Sequence, residues 1–513
     1  MTNSMLHNIN INKTNMTNLE NKYASGLEIQ KPSDDPIIAV RALKLRTNLS
    51  ELNQYYKKNI PDAKSWMEST ESALRNTSEV ITKIHTYCVQ GANDTLTESE
   101  RKSIVDNLVE LKNQIYSEGN SNYAGRYLFT GYKTSTPLVF ESQEKNYNYK
   151  ITEKIKAEDI EISNRIVDSL KIQDLDADNV EDVEIEERPT SATIYRIRLS
   201  YDKLKSLESG GSISLKIPAT DEDGNEIYDE FGEKEYEDEY TDDEMTVMSS
   251  TDPKAYKFED GEEEEIHFLE DTGEIILGPA KYNEWRNKNF EITYEKDSFE
   301  KNELRPEHYF DCVRTDLTIE DETEREEKAV NFTVEDQEIA YEINFNQRLC
   351  INVQGKDAFR HSLGRAIDDV IQAISDVNEV KEKLAYVDKM LEDTSLEENQ
   401  INKLKEIRGV LQTELDLKDS LMREAYGRGL TAMLKEENTV NSATSDIGTR
   451  YNRIELTEDR LSTQQVEFTD LLSQNEDADL VDTIVHYNSA NTVYNASLQA
   501  AGKVVKNTLL DFL

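Results

Sequence analysis

The strongest constraint on the fold is a heptad seam between Leu45 and Tyr87. One series of residues is spaced by seven positions: Leu45, Leu52, Asn59, Trp66, Ala73, Val80 and Tyr87. A second series lies four positions further on: Leu49, Tyr56, Ala63, Thr70, Thr77 and Ile84. These are the a and d positions of a long helix that packs along its whole length. Because the ring of Pro61 crowds the preceding helical turn, we expect a kink or a break there.

The helical period returns near the C-terminus. From about Leu363 the pattern is helical, and residues 447–468 carry a seven-residue repeat of Ile447, Ile454, Leu461 and Phe468. A further apolar stripe follows residues 475–477, and we predict that it forms an assembly interface. Its members are Leu480, Ile484, Tyr487, Tyr494, Leu498, Val505, Leu509 and Phe512.

The N-terminal segment is the intramolecular partner expected for this stripe. It offers Ile9, Met16, Leu19 and Tyr23, but is otherwise rich in Asn and Thr. Since it presents fewer large apolar side chains than the stripe, we expect part of the stripe to stay exposed in a single chain and to bind another copy.

The middle of the chain has a different character. Residues 141–340 contain 59 acidic and 24 basic residues. Strand-like runs cover 193–199, 212–217, 275–277 and 290–294, and hairpin turn signals occur at Asp223-Gly224 and Asp271-Thr272-Gly273. We therefore predict an α+β protein. Its elongated antiparallel helical coiled-coil rod comes from both ends of the chain, and one or two acidic β-rich domains are inserted.

The predicted organisation has five parts. Residues 1–44 form an N-terminal inner-core helical segment and 45–140 the N-terminal half of the rod. The acidic β-rich insert spans 141–360, and the C-terminal half of the rod spans 361–479. Residues 480–513 form a C-terminal inner-core helix. Because the heptad seams stop before the insert and resume after it, we expect core packing not to depend on the insert.

Composition excludes several functions. The formal net charge is −45, which opposes binding to nucleic acid or to an anionic membrane surface. Cys88, Cys312 and Cys350 form neither a disulfide framework nor a metal-binding pair, and we expect them to be buried or half-buried. No apolar run is long enough for a transmembrane helix, and the N-terminus lacks the apolar core of a Sec signal peptide.

Several motifs resemble those of flagellin-like axial proteins of bacteria. In the N-terminal part they are YASGLEI at 23–29, KPSDDP at 31–36, VQGANDT at 89–95 and GRYLFTGYKT at 125–134. In the C-terminal part they are DADL at 477–480, YNASLQAA at 494–501 and LLDFL at 509–513. The segment at 125–134 resembles the members of this family that join the flagellar hook to the filament.

The resemblance implies a structural role in the flagellum, at the junction between hook and filament. It implies a helical core with an outward-facing insert, and type III export without a cleaved signal peptide. The implied partners are further copies in a ring, a neighbouring hook-associated protein, flagellin and an export chaperone. A flagellin filament subunit is the alternative; residues 83–87, KIHTY, depart from the flagellin pattern before Gln90.

Catalytic and metal sites find little support. No HExxH, GxSxG or P-loop motif is present, so we predict no catalytic, metal or cofactor residues. Glu307, His308, Asp311 and Cys312 lie close in sequence, but their spacing favours a surface acid with an incidental His and Cys. The run Glu262–Glu265 favours a solvated face. Asp221, Asp223 and Asn225 alternate like calcium ligands, but a charged turn fits them better. The acidic insert could instead bind glycans or host surfaces, although a solvated spacer is the simpler interpretation.

Overall fold

The computed structural model describes residues 2–92, 96–170, 175, 179–183, 185, 188–221, 226–229, 234–393 and 396–510. The chain forms two compact units. We call Met1–Ser65, Ala340–Cys350 and Thr449–Leu513 the terminal unit, and Trp66–Ile339 and Ile351–Gly448 the central unit. This division cuts across the five predicted segments. The terminal unit reaches further into the helices than residues 44 and 480, and it includes a strand pair from the predicted insert.

Long α-helices occupy both ends of the chain. In order, the helices are α1 Thr2–Ser25, α2 Pro36–Gln54, α3 Ile60–Gly91, α4 Glu98–Glu118, α5 Pro279–Trp285, α6 Glu322–Glu327, α7 His361–Leu391, α8 Glu398–Glu476 and α9 Leu480–Leu510. The N-terminus of α4 has a capping box, in which the side chains of Thr97 and Glu100 each accept a hydrogen bond from the other's backbone N–H.

All the strands of the described residues lie between α4 and α7. They are β1 Asn122–Tyr123, β2 Arg126–Tyr127, β3 Tyr147–Ile155, β4 Glu161–Val167, β5 Thr190–Arg198, β6 Ile213–Pro218, β7 Tyr236–Thr241, β8 Thr246–Met248, β9 Ile266–Leu269, β10 Glu274–Leu277, β11 Phe290–Lys296, β12 Asp311–Asp316, β13 Val330–Phe332, β14 Ala340–Asn344 and β15 Gln347–Cys350. The predicted runs at 193–199, 212–217, 275–277 and 290–294 correspond to β5, β6, β10 and β11. The predicted turn at Asp271–Gly273 joins β9 to β10, and the one at Asp223-Gly224 lies outside the described residues.

Two sheets form the β-rich part of the central unit. One has the strand order β4-β5-β10-β9-β8, and the other has the order β13-β12-β3-β11-β6-β7. Burial alternates along β11, as expected for a strand with one face in a core. Ile197 and Ile275 of the first sheet share an apolar core with Ile151 and Ile292 of the second. The predicted α+β class, with helical ends and a β-rich region between them, is confirmed.

The seam between Leu45 and Tyr87 is confirmed, because each of its thirteen positions is buried or half-buried. The helix does not simply break at Pro61. The α-helical pattern gives way to one π turn at Tyr55–Asn59, and α3 begins at Ile60. Pro61 lies directly after this turn in a helix that continues from α2 into α3, and the wider π turn accommodates a ring that crowds the carbonyl of Lys57.

Candidate assembly surface

Helix α1 packs against α9 in the terminal unit. The half-buried positions of α1 recur every three or four residues: Met5, Ile9, Asn12, Met16, Leu19 and Lys22. The two helices run antiparallel, since Leu27 bridges Asp477 while Asn12 bonds to Ser497. Three of the four N-terminal residues expected at this contact lie on the half-buried face, whereas Tyr23 is exposed.

The eight residues of the predicted interface occupy different environments. Tyr487 and Tyr494 are half-buried, at heptad positions of the face that packs on α1. Leu480, Ile484 and Leu498 remain 49%, 39% and 44% exposed. Val505 and Leu509 lie within α9, but their side chains and all of Phe512 lie outside the described residues. The stripe is thus divided between an internal contact and a free apolar surface.

Three further apolar residues of α9 were missed by the sequence pattern. Val481, Val485 and Val493 are all at least half exposed. The pairs Leu480-Val481 and Ile484-Val485 are four positions apart, so two adjacent apolar rows run along this helix. The adjacent apolar residues in each pair were visible in the sequence, but a single heptad series includes only one member of each pair.

Helix α2 adds an exposed row at its N-terminal end. Ile37, Val40 and Leu43 lie three positions apart and are each more than half exposed. On α8, within the terminal unit, Leu456, Val466 and Leu471 are also exposed. Scattered exposed apolar residues are ordinary, whereas contiguous rows mark contact surfaces.

The two turns that join the helices of the terminal unit pair with each other. Glu28 N donates to Glu476 O at 2.7 Å, and Ala478 N donates to Gly26 O at 2.9 Å. Gly26 has a φ of +72°, a conformation that favours glycine. Arg46 Nη2 lies 2.7 Å from Glu476 Oε2. The motifs at 23–29 and 477–480 therefore contact each other and form one paired turn in the terminal unit.

Helix caps explain two of the acidic residues in these motifs. Asp35 Oδ1 accepts hydrogen bonds from Ile37 N and Ile38 N, and Pro36 occupies the first turn of α2. Asp479 Oδ1 likewise accepts from Val481 N and Asp482 N at the start of α9. A carboxylate at a helix N-terminus stabilises the exposed N–H groups and the helix dipole.

The motif at 125–134 is a packing element of the central unit. Arg126 lies over the ring of Trp66, with 5.1 Å to its centroid, and Phe129 packs edge-on against Phe359. Gly355 N donates to Phe129 O at 2.7 Å. In the other turn motif, a Cβ on Gly91 would collide with the Tyr426 ring; residues 93–95 lie outside the described residues.

Charge is distributed very unevenly between the two units. The terminal unit contains 15 basic and 17 acidic residues, whereas the central unit contains 44 basic and 87 acidic residues. The terminal unit is therefore nearly neutral, and almost all of the chain's charge of −45 belongs to the central unit. Two terminal units can approach each other with little net repulsion.

The predicted surface acid at Glu307 is wrong, because Glu307 is buried at 2% exposure. Glu307 Oε1 lies 3.1 Å from Arg305 Nη1, and His308 Nε2 lies 3.1 Å from the carbonyl oxygen of Pro137. Burial lowers the pKa of His308 to about 4 and raises the pKa of Cys312 to about 12. These groups are structural, and the three cysteines are buried or half-buried as predicted.

No metal centre is found in the described part of the chain, where no group of three or more His, Cys, Asp or Glu side chains could hold an ion. Of the calcium-like residues, Asp223 and Asn225 lie outside the described residues. The Glu262–Glu265 run is largely exposed, as expected for a solvated face. No helix of the described residues combines the length and apolar character needed to cross a bilayer.

Both ends of the chain are similar to regions of a known protein family. Residues 1–134 match the bacterial flagellin N-terminal helical region, and residues 431–513 match the bacterial flagellin C-terminal helical region. These matches contain α1 to α4, the last part of α8, and α9. The β-rich part lies between them.

Curated relatives are similar over part of their length. A flagellin of Clostridium tyrobutyricum is 33% identical over 115 residues, which are 22% of this chain and 30% of the relative. Flagellar hook-associated protein 3 of Escherichia coli (strain K12) is 30% identical over 126 residues, 24% of this chain and 39% of the relative. The same-named protein of Salmonella typhimurium is 31% identical over 118 residues, 23% of this chain and 37% of the relative. The alignments thus span 30–39% of the length of these relatives.

A solved structure of a putative flagellar hook-associated protein from Vibrio parahaemolyticus aligns with 86% of this chain and 100% of its own. The sequence identity is 12% and the TM-score is 0.37. This similarity is too low to carry an argument about function.

Proposed function

We propose that this chain, which carries both terminal helical regions of the bacterial flagellin family, is a structural component of the flagellum at the junction between hook and filament. The chain assembles through its terminal unit, and we assign it no catalytic role. Two relatives named flagellar hook-associated protein 3 support the junction over other flagellar positions.

The main support for this proposal is that the terminal unit combines a net charge near zero with exposed rows of apolar side chains. Leu480, Ile484 and Leu498 are exposed in a unit with 15 basic and 17 acidic residues, within a chain of net charge −45. These side chains are 39–49% exposed, so burying the remainder of each contributes on the order of 1 kcal/mol. Several contacts per copy offset the repulsion between acidic central units, so the terminal unit is the part suited to self-assembly.

The proposed partners follow the position at the junction. Copies of the chain form a ring, which contacts a neighbouring hook-associated protein on one side and flagellin on the other. An export chaperone covers the apolar rows before assembly, and the protein is then exported to the extracellular flagellum. The acidic β-rich part serves as a solvated spacer.

A flagellin filament subunit is the second candidate. The similarity to the flagellin of Clostridium tyrobutyricum, at 33% identity, favours it. The two candidates differ in position, because a junction protein occupies a narrow band and a filament subunit extends along the filament. Immunolabelling of isolated flagella separates them.

A further inference from the structure

We propose that the β14–β15 hairpin is an assembly element whose tip residue, Phe345, inserts into the terminal unit of a second copy of this chain. The inference rests on the proposed function and deepens it, since it names a contact and its partner. The hairpin lies outside both family matches, which end at residue 134 and begin again at residue 431.

The phenyl ring of Phe345 is held out into solvent by a defined turn. Asn344 pairs with Gln347, so Phe345 and Asn346 form the turn between the strands. Asn346 has a φ of +54°, a conformation that asparagine tolerates well, and Asn344 Oδ1 accepts a hydrogen bond from Phe345 N at 2.9 Å. Phe345 is 73% exposed, although phenylalanine is among the residue types most often buried.

The base of the hairpin is fixed to the helices of the terminal unit. Ile343 is fully buried and Leu349 is 6% exposed. Asn59 Nδ2, at the end of the π turn, donates to Glu342 O at 2.8 Å. A tip on a rigid base binds with little loss of conformational entropy, which is the usual property of an aromatic anchor at a protein interface.

Charge favours a second copy as the partner. Residues 343–347 at the tip carry no charge, and the terminal unit around them has 15 basic and 17 acidic residues. A strongly basic partner would favour the central unit, with its 87 acidic and 44 basic residues, over this neutral tip.

The two halves of the terminal unit are also complementary. Residues 1–65 contain 9 basic and 6 acidic residues, whereas residues 449–513 contain 5 basic and 10 acidic residues. Unlike halves of two copies therefore attract each other, which favours a head-to-tail contact of the kind that closes into rings. The exposed apolar rows of α2 and α8 supply the surface that receives the phenyl ring.

The test places a photoreactive benzoylphenylalanine at position 345 of the full chain. Irradiation of the purified protein, at a salt concentration that screens the central units, is expected to give a covalent dimer. Peptide mapping should place the second attachment point in residues 1–65 or 449–513. Phe345→Ala should weaken self-association by about tenfold or more, as loss of an aromatic anchor does. Tyr132→Ala, which removes a comparably exposed aromatic of the central unit, should not.

Two results would overturn the inference. One is the absence of a crosslinked dimer together with unchanged self-association of the Phe345→Ala variant. The other is that position 345, irradiated on isolated flagella, crosslinks only to a different protein. The proposed function fails separately. If the Phe345→Ala variant is found in the same narrow band at the hook and its self-association is unchanged, the junction role is supported and the hairpin contact is refuted. If the protein is absent from the junction, self-crosslinking still decides the hairpin contact.

Discussion

Asn12 Nδ2 donates a hydrogen bond to Ser497 Oγ, 2.9 Å away, across the antiparallel pair of α1 and α9. Both side chains are half-buried, on faces whose large apolar members are Met5, Ile9, Met16, Leu19, Tyr487 and Tyr494. A polar residue at such a position fixes the register of a coiled coil at a cost in stability. This pair therefore sets how the N-terminal helix aligns with the C-terminal one.

Asn12→Leu should make the helical pair more stable and its register less defined. The added apolar contact is expected to contribute on the order of 1 kcal/mol. Thermal unfolding followed by circular dichroism measures the stability, and distances between spin labels on α1 and α9 report the register. Asn10→Leu, at an exposed position of the same helix, is the control and should leave both unchanged. An unchanged register with Asn12→Leu would show that the apolar residues alone define it.

Leu498→Asp should leave the chain folded and prevent assembly. Leu498 is 44% exposed, so the new carboxylate meets water in a single chain but is buried without a partner at a contact between copies. Incorporation at the hook and attachment of filaments are the measurements. Leu434→Asp, at 49% exposure on α8 in the central unit, is the matched control and should assemble normally. Normal assembly of Leu498→Asp would remove α9 from the proposed interface.

Removing residues 147–316 should leave an exportable protein that self-associates at lower salt. Leu317 N donates to Asn146 O at 2.7 Å, so a short Gly/Ser linker can join the two ends. The deletion removes 48 acidic and 21 basic residues, and with them most of the repulsion between copies. The sequence alone suggested that core packing does not depend on the insert at 141–360, but β14 and β15 belong to the terminal unit.

The comparison with a protein that lacks both 147–316 and 340–350 isolates the hairpin, because Ile351 N lies 2.9 Å from Ile339 O and a short linker can join these ends. We expect this double deletion to lose self-association while the single one retains it. Equal behaviour of the two proteins would show that β14 and β15 are not needed for assembly. A secreted, stable protein that lacks 147–316 but cannot support motility would show that the β-rich part itself makes essential contacts.

Acidification should destabilise the central unit through His308. Burial lowers the pKa of His308 from 6.5 to about 4, so the folded state keeps the ring neutral where the unfolded state binds a proton. The free energy of unfolding is therefore not reduced by this group above the unfolded-state pKa. It falls as the pH drops from about 6.5 to about 4, because the unfolded state gains the proton first.

His308→Gln keeps a donor for the Pro137 carbonyl and should flatten this pH dependence, by about 1–3 kcal/mol. Unfolding midpoints of both proteins between pH 7 and pH 4.5 provide the measurement. Some dependence should remain, because burial also lowers the pKa of His361 to about 3. Parallel pH profiles of the two proteins would contradict the assignment.

Helices were predicted well because their signal is local and repeats many times. The seam from Leu45 to Tyr87 carries thirteen concordant positions, so one proline could not mislead the interpretation of the whole segment. The π turn at Tyr55–Asn59 was not predictable, since it is a choice among backbone geometries that all satisfy the same heptad pattern. Strand positions were found from alternation and turn residues, but the pairing order of the two sheets depends on contacts distant in sequence.

The candidate surface was only partly predictable for the same reason. The apolar stripe of α9 was visible in the sequence, but which of its members face α1 depends on the register of two helices at opposite ends of the chain. Tyr487 and Tyr494 therefore separate from Leu498 only in three dimensions. Phe345 carried no periodic signal at all. Its importance comes from the hairpin that exposes it and from the neutral unit to which that hairpin belongs.

The position of the protein on isolated flagella decides between a junction protein and a filament subunit. Antibodies raised against the acidic β-rich part, followed by gold labelling and electron microscopy, locate it without altering the terminal helices. We expect one narrow band at the distal end of each hook, with no labelling along the filament. Labelling along the whole filament would contradict the junction role and identify the chain as a filament subunit.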